Sequence, residues 1–259
     1  MRVYTLFTHA GGAGKTSLAR DLGYELASRG YRVLLVDADP QANLTAWLHR
    51  DEEASREKTL LPFVERLEMP KPLEVLPNYH LIPASLELAE ADLYLARNPL
   101  RGIDFRGALR ELPYDFVLID SLPSLGNIAI FAALASDGLI VPAETTPKGL
   151  QAVAGVFRFA GEYARTLTTL GQGVGGKFVM GLVPTMYDPR SKLHRESLEA
   201  LRKFGQTVPV APPVAYRPAV HARAVAQGLP VALVDSQEAR EEIRGVLSSL
   251  DLVPEEVPA

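Results

Sequence analysis

Ala10-Gly11-Gly12-Ala13-Gly14-Lys15-Thr16-Ser17 is the stretch on which the reading of this chain turns. Before it, Val3–Thr8 (VYTLFT) is a β-branched and aromatic run of the kind that forms a buried strand. After it, Lys15–Ser28 (KTSLARDLGYELAS) sets Leu18, Leu22 and Leu26 on one helical face. A strand, a glycine-rich turn and a helix in this order bring many N–H donors to one point. Only residues with little or no side chain let the backbone curl that tightly. The helix adds its free first-turn amides and its dipole. Gly11, Gly12, Ala13 and Gly14 are therefore expected to cradle phosphates, with Ser17 at the α-phosphate. Lys15 can reach the β- and γ-phosphates, and the Thr16 hydroxyl is placed for Mg²⁺. The loop departs from a strict Gly-x4-Gly-Lys-[Ser/Thr] pattern at its first glycine. The lysine, the hydroxyl and both flanking elements nevertheless outweigh an inert strand-to-helix turn.

Outward from the loop, short apolar runs alternate with helical spacings. Strands are expected at Val33–Asp37, His80–Pro83, Phe116–Asp120, Leu139–Pro142 and Phe178–Val183. Helices are expected at Leu86–Leu95, Asn127–Ala135, Leu150–Leu170, Lys192–Phe204 and Gln237–Leu250. Strands apolar on both faces and separated by helices imply an α/β fold, with a mostly parallel central sheet and helices on both faces. Nothing in the composition splits the chain, so residues 1–252 read as one P-loop domain and 253–259 as a frayed tail. The charged, proline-bearing stretch His49–Asn78 reads as surface.

The 259 residues suffice for a substantial core. With 47% apolar and 22% charged residues, the chain is neither disordered, collagenous nor a coiled coil. The absence of cysteine excludes disulfides, cysteine-held zinc, iron–sulfur clusters and a thiol nucleophile. No apolar run has membrane-spanning length, and Met1-Arg2 does not open a signal peptide, so a cytoplasmic protein is expected. A net charge of −4 means that any DNA contact needs a local basic face.

Two acidic motifs support the loop. One expected strand ends in Asp37-Ala38-Asp39-Pro40-Gln41, another in Asp120-Ser121-Leu122-Pro123. Carboxylates at the carboxyl ends of parallel strands point into the ligand crevice. Mg²⁺ takes one or two carboxylates together with water and phosphate oxygens. Asp120 is thus the principal metal-directed acid, Asp37 supports the metal shell, and Asp39 is placed to orient the attacking water. A single Asp at a strand end is commonly a turn or cap residue. Three around one phosphate loop point to a metal-nucleotide site.

Taken together, GGAGKTS (11–17), VDADPQANLT (36–45), YDFVLIDSLPSLG (114–126), LIVPAETTPKGL (139–150) and PTMYDPRSKLHRE (184–196) resemble the ParA/MinD family of deviant Walker ATPases. The resemblance is strongest to the ParA or Soj ATPases that partition chromosomes and plasmids. It implies slow ATP hydrolysis with Lys15 and Asp39 as catalytic residues, an ATP-dependent homodimer, and binding of double-stranded DNA without sequence preference. It also implies stimulation by a ParB-type centromere-binding partner and a place at the nucleoid. Thr185, Pro212 and Pro213 fall in segments that the family sets near the base and ribose. One departure stands out. The family loop begins with a lysine that reaches across the dimer to the partner's ATP, and here that position is Ala10. A nucleotide-binding scaffold with weak or no hydrolysis is therefore the alternative.

Cations cluster at Arg190, Lys192, Arg195, Arg202 and Lys203, with Arg217 further on. Non-specific DNA binding rests on phosphate neutralisation by several cations on one side, and two monomers side by side would double the patch. For any one of these residues a solvated face of mixed charge is the blander reading. A MinD-like membrane ATPase would end in a basic amphipathic helix, whereas this chain ends in an acidic, proline-broken segment. A small-molecule ligase of the same fold would share the loop, but the DADPQ and TMYD segments favour partitioning. A GTPase would need an Asn/Thr-Lys-x-Asp motif, and Thr185-Met186-Tyr187-Asp188 lacks the lysine.

Overall fold

Leu34 and Leu35 are both fully buried yet belong to different apolar clusters, because successive side chains of a strand point to opposite faces. That two-sided burial organises the computed structural model, which describes residues 1–169, 171, 178–234 and 237–253. The chain runs β1 (Arg2–Leu6), α1 (Lys15–Ala27), β2 (Val33–Ala38), α2 (Asn43–Trp47), α3 (Leu61–Arg66), β3 (Leu73–Leu76), β4 (Tyr79–Ile82), α4 (Ala91–Arg97), α5 (Arg101–Arg110) and β5 (Phe116–Ser121). It continues through α6 (Asn127–Leu134), β6 (Gly138–Glu144), α7 (Pro147–Thr169), β7 (Val179–Thr185), α8 (Lys192–Arg202), α9 (Pro218–Gln227) and α10 (Gln237–Ser249).

The strands form one seven-stranded sheet in the order β3-β4-β2-β5-β1-β6-β7. Every pairing is parallel except β3 with β4 at one edge. The expected α/β architecture is therefore present. On one face, Leu18, Leu22 and Leu26 of α1 and Ile243, Val246 and Leu247 of α10 pack on Tyr4, Leu6, Leu35 and Leu118. On the other, Phe63, Phe105 and Phe131 meet Val36, Val117 and Ile119. A third cluster joins α6, α7 and α8 to Phe7, Leu139 and Val141.

The structure alters three readings. The segment 49–78 is not only surface: Leu60, Leu61, Phe63 and Val64 are buried, and β3 adds an antiparallel edge strand. Its charges pair among themselves on the outside, Arg56 with Glu65 and Arg66 with Glu57 and Glu68, which leaves the apolar stripe free to enter the core. Helices α5 and α9 were not foreseen. Short helices of ten residues give a weak periodic signal, and α9 opens on Pro218, which suits a first helical turn but looks like a breaker in sequence. Strand β1 stops at Leu6 because the chain then turns, with the Thr8 hydroxyl oxygen accepting from the Ala10 N–H. The tail residues 254–259 and the expected helix end at Leu170 lie outside the described residues.

Helix α7 starts against the end of β6, and Gly149 makes that junction possible. A Cβ there would lie 1.9 Å from the Glu144 carbonyl oxygen. Gly149→Ala is expected to lower stability by about 1–3 kcal/mol through forced displacement of α7, read as the shift of a urea or thermal unfolding midpoint. An unchanged midpoint would mean that the junction can relax.

Candidate functional site

Register brings the chemistry together. Leu6 of β1 pairs with Asp120 of β5, and Asp120 pairs with Asp37 of β2. The glycine loop leaves β1 at this point, so it rises directly above two strand-end carboxylates. β1 lies between β5 and β6, where the chain connections diverge and ligands of open α/β sheets bind. Gly12 (φ +82°) and Gly14 (φ +83°) take left-handed conformations that disfavour any side chain. Gly14 precedes α1 directly, and no side chain caps that helix. The amides of its first turn are thus open to a ligand.

The loop, with residues 12–17, bounds a cleft of about 260 Å³ completed by Asp39, Asn43, Trp47, Pro123 and Met186. A larger groove of about 490 Å³ lies between α4, α6 and α7, lined by Leu95, Leu100, Ile130, Leu134 and Tyr163 among others. That groove has neither the convergent amides nor the cation-carboxylate pairing of the smaller cleft, so the chemistry belongs to the latter.

Lys15 is 7% exposed, and its Nζ reaches the Ala10 carbonyl oxygen at 3.4 Å. Burial pushes its pKa down, while Asp120 and Asp39 pull it back up. Asp120 is 1% exposed, and burial, reinforced by the Asp37 charge, raises its pKa well above the usual carboxylate range. A hydrogen bond from Thr16 opposes that rise. The Asp120 Oδ1 atom is buried without a hydrogen-bond partner among the described residues. Buried oxygens of this kind normally have a partner. An unpaired carboxylate oxygen beside a threonine hydroxyl and an open phosphate loop fits Mg²⁺. Among the described residues no group of three or more acids and histidines could hold a metal alone, so a divalent cation here would need further oxygen ligands from phosphate or water.

Asp37 is fully buried and its pKa is raised to about 6, mainly by burial and against bonds from Thr45 and Asp39. Its Oδ2 accepts the Thr45 N–H (2.9 Å) and hydroxyl (2.7 Å), and its Oδ1 accepts the Asp39 N–H (3.2 Å). Asp37 thus holds the turn that presents Asp39, whose own Oδ1 accepts from the Gln41 N–H at 2.9 Å.

The Thr185 hydroxyl donates to the Ala13 carbonyl at 2.9 Å and anchors the loop from below. Pro212 and Pro213 sit on a strand-like run beside β7, fixed by Ala211 N–H to Leu182 O and Val214 N–H to Pro184 O. Neither proline lines the cleft, although Met186 next to Thr185 does. His9 packs against α7, where a Cβ on Gly155 would fall 2.5 Å from its Cε1.

The basic residues do not share one environment. Arg190 is held by Asp188 through two bonds of 3.0 Å, Lys192 lies 3.6 Å from Glu196, and Arg195 donates to the Pro189 carbonyl. Arg217 is clasped by Glu242 at 2.6 Å and Glu238 at 3.0 Å. Arg202 and Lys203 are exposed and carry no ion pair among the described residues. Asn43, Trp47, Pro123 and Met186 were missed from sequence. Pro123 stood within the second acidic motif and Asn43 just beyond the first, whereas Trp47 reaches the cleft only because α2 folds back towards the loop.

This sheet order, loop and pair of strand-end acids define a P-loop nucleotide-binding protein. The family model described as "AAA domain" matches residues 1–169. A "Probable plasmid-partitioning protein ParA" of Thermus thermophilus is 51% identical over 93% of this chain and 76% of its own length. A "Chromosome-partitioning ATPase Soj" of the same species is 36% identical over 80% of this chain and 79% of its own. Among solved structures, a Cyanothece McdA–ATP complex aligns with a TM-score of 0.82 and 25% identity, covering 98% of both chains. The chain belongs to the ParA/Soj branch of the ParA/MinD deviant Walker ATPase family.

Trp47 is the only tryptophan, lines the cleft and lies 5.8 Å from the Arg20 guanidinium. Addition of ATP with Mg²⁺ is expected to change its fluorescence saturably, and Lys15→Ala should abolish the change. An unaltered spectrum in the unsubstituted protein would place nucleotide elsewhere.

Proposed function

We propose that this chain is a DNA-segregation ATPase: it binds Mg-ATP in the cleft, dimerises on it, and in that state binds double-stranded DNA without sequence preference. A ParB-type partner then stimulates slow hydrolysis and resets the cycle. The observation that carries this reading is the unpartnered Asp120 oxygen facing a glycine loop whose amides are open and whose Lys15 is buried. The ParA and Soj relatives supply the biological context.

In this reading Gly11–Gly14 and Ser17 hold the phosphates and Lys15 bridges the β- and γ-phosphates. Thr16 and Asp120 hold Mg²⁺, with Asp37 supporting that shell through the Asp39 turn. The metal neutralises charge on the phosphate oxygens. Asp39 orients the lytic water. Thr185 sets the height of the loop, and the 212–213 run adjoins the base. Arg190, Lys192, Arg195, Arg202, Lys203 and Arg217 form the DNA face. Arg202 and Lys203 lead it because they need not break an ion pair to meet a phosphate. No described helix is long and apolar enough to cross a membrane.

A second reading, a nucleotide-binding scaffold without turnover, is favoured by one observation. Ala10 packs with Ala13 and Ala152 and presents no charge to the phosphates. ATP turnover with and without DNA and the ParB-type partner separates the two.

Asp39→Ala is expected to keep ATP affinity within a few-fold, to lose at least about tenfold in turnover, and to accumulate dimer by light scattering with Mg-ATP. Loss of ATP binding in this variant would remove the role given to Asp39. DNA affinity should require ATP and fall steeply with salt. The double variant Arg202→Ala/Lys203→Ala should reduce the salt slope by about two. Equal DNA binding by the nucleotide-free protein would break the coupling.

A further inference from the structure

The cleft is short of positive charge. Asp39 lines it, Asp120 is buried within electrostatic reach of Lys15, and Asp37 is buried beside Asp120 on the next strand, against the single buried ammonium of Lys15. A triphosphate tail adds more negative charge than one divalent cation returns, and unbalanced charge is costly where water is excluded. Position 10 cannot supply the missing cation, because its alanine side chain is closed in against Ala13 and Ala152.

The helix that closes position 10 brings a cation of its own. Lys148, Ala152 and Gly155 are spaced i, i+4 and i+7, so they share one face of α7. Gly155 meets His9 and Ala152 meets Ala10 and Ala13, so this face lies along the glycine loop from residue 9 to 13. One turn nearer the helix start, the Lys148 ammonium reaches the Gly11 carbonyl oxygen at 3.4 Å. Lys148 is exposed and has no carboxylate within ion-pairing distance among the described residues. A lysine on a flexible stem, tied to the loop by one solvent-facing bond, can turn to a phosphate at little cost. The close contacts at Gly149 and Gly155 fix the helix that carries it.

We propose that Lys148 is the second phosphate-binding cation of this chain, directed at the γ-phosphate end of a nucleoside triphosphate and replacing the charge absent at Ala10. The inference rests on the nucleotide-site reading above. It also favours an active ATPase over an inert scaffold. The phosphate contacted belongs either to the same chain or to a second copy packed against the loop. The chemistry of recognition is the same in both.

Lys148→Met keeps the length of the stem and removes the charge. With Mg²⁺ present, its affinity for ATP relative to ADP should fall by about tenfold or more, and turnover by a similar or larger factor. ADP affinity should stay within twofold, and Lys148→Arg should recover part of the loss. A purely structural role would move ADP and ATP binding together and would leave Lys148→Arg no better than Lys148→Met. An ATP/ADP preference and turnover within twofold of the unsubstituted protein would overturn the proposal. Failure of the unsubstituted protein to bind either nucleotide by calorimetry would instead overturn the nucleotide-site reading beneath it. Mixing Lys148→Met with Lys15→Ala restores turnover if the ammonium serves a neighbouring copy, and does not if it serves its own chain.

Discussion

Two carboxylates beside one lysine, Asp39 and Asp120 with Lys15, and a third, Asp37, on the neighbouring strand are the constraint at the carboxyl edge of the parallel sheet on which the site depends. Asp37 and Asp120 sit on adjacent strands in register, both cut off from water, and the Asp37 charge adds to the burial that makes Asp120 hard to ionise. An apolar strand pair could end there at no electrostatic cost. The acids are sustained by what surrounds them: Thr45 and the Asp39 amide around Asp37, Thr16 and Lys15 around Asp120. The oxygen of Asp120 left unpaired is of the type that suits a hard divalent cation arriving with phosphate.

The rest of the fold can be understood as support for that edge. Strand β1 sits between β5 and β6, so the loop it feeds is braced on both sides. Thr185 ties the loop to β7, and α7 lies along it through small residues. On the opposite side, the fully buried Arg20 is held by both oxygens of Asp21 and also meets His221 of α9 and the ring of Trp47 in the cleft. The Val231 amide donates to the same Asp21 carboxylate, and His49 beside α2 reaches the Val225 carbonyl in α9. The segment following the acidic turn is thus physically continuous with α9. Charge placement farther out follows a different logic. Glu25, almost wholly buried, draws Arg240 and Arg244 inward, and Glu238 and Glu242 do the same to Arg217. These arginines bind α10 to its neighbours, whereas Arg202 and Lys203 at the end of α8 stay exposed and without an ion pair among the described residues.

The parallel sheet was legible because Val33–Asp37, Phe116–Asp120 and Leu139–Pro142 are apolar without alternation, which only a doubly covered strand permits. The glycine loop and the acids were legible because phosphate and Mg²⁺ chemistry admits few residue types at fixed spacing. The edge strand β3 and helices α3, α5 and α9 were not, since their short apolar patterns acquire meaning only when a core is there to receive them.

By itself, the amino-acid sequence determined that a glycine turn would lie between a strand and a helix, and that acids would close two of the strands. Those are local consequences of side-chain size and hydrophobic period. Only the tertiary structure decided which distant groups share the loop. Trp47 and Met186 enter the cleft, Thr185 props it, and Lys148 stands beside Gly11, although more than a hundred residues separate the lysine from that glycine. Such proximity depends on strand order and on how closely α7 can approach through alanine and glycine. No linear spacing encodes it, because the distances are set by packing between elements rather than by position along the chain.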